Sequence, residues 1–157
     1  MIENQTIDNR APQAGAHPVR RVFAIISRVF QVLYIVVAWL FALSIVAQTY
    51  LAGMGLFAGA TWLEVHGNIG WLLARFSILM LVFLLPARFP WKVVGLHALL
   101  IADVIFQVSL VSYFQAYKNP ALTALHPANA LLLFIIATVL AFSALKWTCT
   151  TFSKRST

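Results

Sequence analysis

Apolar positions arrive along this chain in four long runs, and polar ones gather at their ends. The first 19 residues are polar, hold Pro12, Gly15 and Pro18, and show no period, so they read as a disordered tail. A helix is then predicted over about 22–52, with Val29–Leu51 as its buried part; this meets the ~20 residues that a ~30 Å hydrocarbon core requires. The small residues of GMGLFAGA (Gly53–Ala60) close this helix and form the first loop. A second helix runs from His66 to Leu85, stopped by Pro86, and ARFPWK connects it to a third over about 92–117. Lys118, Asn119 and Pro120 mark a turn followed by a short amphipathic ALTAL. The fourth helix opens at Pro127, a favoured first helical residue, and continues to Trp147.

Short connections between long apolar helices predict an all-α integral membrane protein, a four-helix up-down-up-down bundle over 20–147. A polar basic tail, 148–157, follows it. The first pair of helices and the second pair share a plan, each with a loop followed by a histidine, which suggests a weak two-fold repeat.

Composition agrees. Of 157 residues, 62% are hydrophobic and 10% charged, against roughly 25% charged in soluble domains. The first apolar run is far longer than the ~7–15 residues of a signal-peptide core, so it reads as a retained anchor. The formal charge of +7 is distributed by side. Arg10, Arg20, Arg21, Arg28, Arg88, Lys92, Lys146, Lys154 and Arg155 fall on the side of the termini, and Lys118 alone on the other. Basic residues favour the cytoplasmic face, so both termini are expected in the cytoplasm and the protein in the inner (cytoplasmic) membrane. The charge thus implies topology and contact with anionic lipid headgroups, with no nucleic-acid partner. Trp62, Trp71, Trp91, Trp147, Tyr50, Tyr113 and Tyr117 lie near span ends, as an aromatic belt does. Cys149 has no partner for a disulfide or zinc motif; a lipid modification there has only its juxtamembrane position in favour.

Two histidines carry the candidate chemistry. His66 opens HGNIG and His126 opens HPANA, both at the outer ends of their helices. Four residues on, one turn deeper on the same face, stand Gly70 and Ala130. Two imidazoles at matching depth above small residues suit a flat macrocycle, because haem iron accepts axial histidines. His66 and His126 are therefore expected ligands of a b-type haem, with Gly70 and Ala130 beneath it. A structural reading competes: the histidines cap helices or sit in the headgroup layer, and the small residues permit close packing. Glu64 could join the histidines around a metal ion, although two histidines make a poor zinc site.

Charge inside the spans is the second feature. Arg75 lies about 13 Å into the second helix and Asp103 about 16 Å into the third, at 1.5 Å per residue. In a ~30 Å core these depths nearly coincide, so an ion pair is expected, with Gln107 adding a hydrogen bond. It would brace two helices, carry protons, or bring Arg75 to a haem propionate. His97 and Met80, at similar depth, allow a second, His–Met haem, although methionine in an apolar helix is usually core filler. Gln31, Ser44 and Gln48 suit interhelical hydrogen bonds, and His17 in the tail has no assigned role. There is no GxSxG, HExxH, phosphate-binding glycine loop or carboxylate pair, so no catalytic motif is present.

Together, AGMGLF, HGNIG and HPANA resemble a family of small four-helix prokaryotic membrane proteins of unknown function, with the pattern AGxGxF, HxxxG and HPxNG. The resemblance covers about residues 30–147, and Ala130 departs from it where glycine is usual. It implies fold and membrane location and gives no activity. The expected function, a haem-binding electron-transfer subunit, therefore rests on the histidines. The alternatives are a non-enzymatic accessory subunit of a larger membrane complex or homo-oligomer, and a proton or solute carrier using Arg75 and Asp103.

Overall fold

The computed structural model describes residues 18–116 and 119–153, without side chains at 114–116. The expected tail up to residue 17, with Arg10 and His17, lies outside the described residues, as do Tyr117, Lys118, Lys154 and Arg155. Six helical segments follow in order: α1 (Pro18–Phe57), α2 (Thr61–Leu79), α3 (Leu81–Ala87), α4 (Trp91–Ala116), α5 (Pro120–Thr123) and α6 (Leu125–Ser153). They make four stretches long and apolar enough to cross a membrane: Pro18–Phe57, Thr61–Ala87, Trp91–Tyr113 and Pro120–Ser153. No strand occurs among the described residues.

The helices run further than the pattern predicts. GMGLF continues α1, because glycine is common within apolar membrane helices. The turn shrinks to Ala58–Ala60, with Gly59 at φ 131°, a conformation that a side chain would strain. Gly55 meets a different need: a Cβ there would collide with the Leu63 side chain, so glycine lets α1 and the start of α2 close on each other. Pro86 lies inside α3 instead of stopping the helix, which ends at Ala87 with Arg88 left-handed at φ 56°. At the other pair, α6 begins at Leu125, placing Pro127 in its first turn, where an amide has no intrahelical acceptor to lose. Its far end takes in much of the expected polar tail: the Thr150 and Thr151 hydroxyls bond back to the Trp147 carbonyl at 2.9 and 3.0 Å, so these side chains are satisfied within the helix.

The core is built from small residues around a few large ones. Ala38 and Ala42 of α1, and Ala137, Ala141 and Ala144 of α6, are all buried. At helical spacing they bring backbones close, the usual source of cohesion where no water is expelled. Tyr34, Phe41, Met80, Leu100 and Leu140 fill the remaining space. α1 packs against α2, α3 and α6, and α4 against α2 and α6; α2 and α6 have little direct contact. That sparsely packed seam is where the two histidines meet.

Candidate functional site

Each histidine is held by a glutamine of the preceding long helix. Gln48 of α1 donates its amide N–H to the His66 carbonyl (3.2 Å), and His66 Nδ1 stands 3.0 Å from the Gln48 carbonyl. Gln107 of α4 likewise donates to the His126 carbonyl (2.9 Å), and His126 Nδ1 stands 3.0 Å from the Gln107 carbonyl. A carbonyl only accepts, so both Nδ1 atoms carry hydrogen, and in the neutral ring each Nε2 has a lone pair. This is how proteins commonly orient metal-binding histidines. Residues 18 apart in one pair and 19 apart in the other form the same reciprocal clasp.

The two rings meet across the α2–α6 seam, centroids 5.9 Å apart and planes at 83°. His126 Nε2 also lies 3.4 Å from the Gln107 amide nitrogen, a long contact. Beneath the rings is a partly open, mainly apolar cavity of about 150 Å³, walled by α1, α2, α4 and α6. Gly70 and Ala130 both line it, with Phe41, Leu73, Val104 and Leu133.

Asp103 has a different partner from the one expected. Its Oδ1 accepts from Asn129 Nδ2 at 3.1 Å, and the same amide donates to Gln107 Oε1 at 2.9 Å. Asp103 Oδ2 is buried without a hydrogen bond. Arg75 is exposed on the outer face of α2. At about 100° per residue, its nine-residue separation from His66 turns it to the opposite side of the helix. Depth along the span is matched, but direction around it is not, so the predicted Arg75–Asp103 pair and an Arg75 contact at the cavity are both corrected. Asn129 is the residue that sequence reasoning missed; its signal was the asparagine within HPANA, beside a buried aspartate one helix away.

The remaining candidates separate from the cavity. Glu64 is exposed, and among the described residues no group of three His, Cys, Asp or Glu side chains could hold a metal ion. His97 is wholly buried with its Nδ1 3.0 Å from the Tyr34 hydroxyl. Met80 is also wholly buried, and neither residue lines the histidine cavity. Gln31 reaches the Ala87 carbonyl at 2.8 Å, whereas Ser44 bonds within its own helix to Phe41 at 2.6 Å. Cys149 is exposed.

No curated protein and no solved structure matches the chain. A family model does match residues 48–114, a stretch that starts at Gln48 and takes in His66, Gly70, Asp103 and Gln107. Over that stretch the chain is similar to a family of unknown function, DUF6220.

Proposed function

We propose that this is a small multi-pass protein of the inner (cytoplasmic) membrane that holds a b-type haem between His66 and His126 and passes electrons near the external face. The proposed topology is up-down-up-down, with both termini cytoplasmic. Arg20, Arg21, Arg28, Arg88, Lys92 and Lys146, at the terminal side of the helices, support that orientation. The bilayer is the immediate partner.

The observation that carries the haem reading is the pair of clasps. Each imidazole is oriented from behind by a backbone carbonyl, and each keeps an Nε2 lone pair above a shared apolar cavity. His66 and His126 would hold the iron; Gly70 and Ala130 leave the space beneath them open. Bound there, an iron porphyrin supplies a one-electron couple, while the residues supply ligation, orientation and a low-dielectric surround. Donor type and tautomer fit haem. Volume is the stricter test, because a cavity of about 150 Å³ is the size that takes up benzene. Seating a tetrapyrrole requires α2 and α6 to part, and little direct contact between these two helices opposes it.

The test is an absorbance spectrum of full-length protein purified in detergent from haem-replete cells. Split α and β bands on reduction are expected, with loss in His66→Ala and in His126→Ala. A colourless, well-folded protein overturns the reading. A second reading, an accessory subunit of a larger membrane complex or homo-oligomer, is favoured by the structural part the clasps play, each making two hydrogen bonds between helices. It predicts a colourless protein that leaves native membranes with a stoichiometric partner.

A further inference from the structure

A second cavity, of about 470 Å³, lies far from the histidines, where the start of α1, the α3–α4 turn and the end of α6 converge. Arg20, Arg28 and Arg88 line it, with Ser27, Trp147 and Thr151. The chain has four acidic residues. Glu64 and Asp103 do not line this cavity, and Glu3 and Asp8 lie outside the described residues. Among the described residues, three arginines therefore line one partly open space with no carboxylate on its walls.

The arginines are arranged, not merely close. Arg28 lies 4.4 Å from the centroid of the Phe152 ring and Arg88 5.9 Å from that of Phe23. Stacking on an aromatic face steadies a guanidinium while leaving its N–H edges free to donate. Arg88 is also the only non-glycine residue at positive φ among the described residues, at 56°. Glycine is the usual occupant of that place just past a helix end. The carbonyl before it, that of Ala87, accepts from Ser27 Oγ and Gln31 Nε2, each at 2.8 Å. Two side chains of α1 thus pin the turn that aims Arg88, and a strained backbone is retained with a charged side chain on it. Strain of this kind is a pointer to function when the surroundings enforce it.

From these features we infer that the cavity binds a phosphate oxyanion, supplied by an anionic phospholipid headgroup or by a soluble phosphate. The Ser27 and Thr151 hydroxyls already donate to backbone carbonyls, so the anion's donors are the guanidinium forks, whose planar geometry matches phosphate oxygens. Basic pockets between membrane helices on the cytoplasmic side hold lipid headgroups in this way. The exposed Trp147 on its wall is a side chain typical of the headgroup layer. The site is independent of whether haem is bound at the other end.

The experiment is a thermal melt of the full-length protein in non-ionic detergent, titrated with short-chain phosphatidylglycerol, phosphatidylcholine or inorganic phosphate. A saturable rise in Tm with phosphatidylglycerol alone supports the site and assigns it to lipid. A saturable rise with inorganic phosphate supports it and assigns it to a soluble ligand. In either case Arg88→Gly should weaken the response at least about tenfold, as expected for lost charge-assisted hydrogen bonds. That variant relieves the backbone at φ 56°, so its unliganded Tm should match or exceed the parent's; Arg28→Gln offers a second variant that leaves the turn intact. No response to either anion, a response to phosphatidylcholine equal to that for phosphatidylglycerol, or a response unchanged in both variants overturns the inference.

Discussion

Asn129 joins two acceptors with one amide, and this makes it the polar residue whose loss the bundle should feel most. Replacing it by leucine strands Asp103 Oδ1 and Gln107 Oε1 in a buried setting. Each abandoned acceptor costs about 1–3 kcal/mol, so Asn129→Leu should lower Tm in detergent by several degrees. Asp103→Asn should behave differently. Among the described residues Asp103 has no ion-pair partner, and Oδ2 is unpartnered; an asparagine keeps an acceptor for the Asn129 bond, so the neutral variant should be about as stable as the parent. A large loss of stability in Asp103→Asn would reveal a counter-charge. At this scale the sequence was legible where spacing alone sets direction: His66 with Gly70, and His126 with Ala130, share faces because four residues nearly complete a turn. It misled for Arg75, because depth was counted along the helix and not angle around it. Asn129 went unread because a hydrogen bond across helices depends on which helices touch, and no periodicity encodes that.

The glycines of the α1–α2 connection divide by what their backbones do, although in sequence they look like one flexible loop. Gly59 alone holds a positive φ, at 131°, so Gly59→Ala should destabilise by about 1–2 kcal/mol. Gly53 is helical and a Cβ there meets nothing within 4 Å, so Gly53→Ala should be neutral or stabilising by up to ~1 kcal/mol. Equal Tm losses in the two variants would mean that the turn is not built around Gly59. Helix existence was plain from four apolar runs, whereas helix ends were not. Gly, Pro and Thr read as breaks under the rules of soluble chains. Here Gly53, Gly55 and Pro86 stay within helices, and Thr150 and Thr151 satisfy themselves on the preceding turn.

Across the whole molecule, the two Gln–His clasps make the suspected repeat concrete: α1 and α2 form one, α4 and α6 the other, and the cavity lies between the pairs. The clasps carry structure as well as proposed ligation, so His66→Ala and His126→Ala each remove a donor from a backbone carbonyl and should lower stability even without a cofactor. Loss of colour in those variants alone therefore cannot separate ligation from folding. Filling the cavity separates them. A Cβ on Gly70 meets only Gln48 Nε2 at 3.6 Å and Val108 Cγ1 at 3.9 Å, both ordinary contacts. Gly70→Leu should therefore project its remaining carbons into the space beneath the rings while both clasps remain. If His66 and His126 bind haem over this cavity, Gly70→Leu and Ala130→Leu abolish the split reduced bands with both histidines present, while the colourless protein melts at or above the parent's apo Tm. The gain follows from filling empty volume, which is worth about 24 cal/mol per Å³ where packing relaxes little. Bands that survive in both variants would put the cofactor somewhere other than between the two helix pairs.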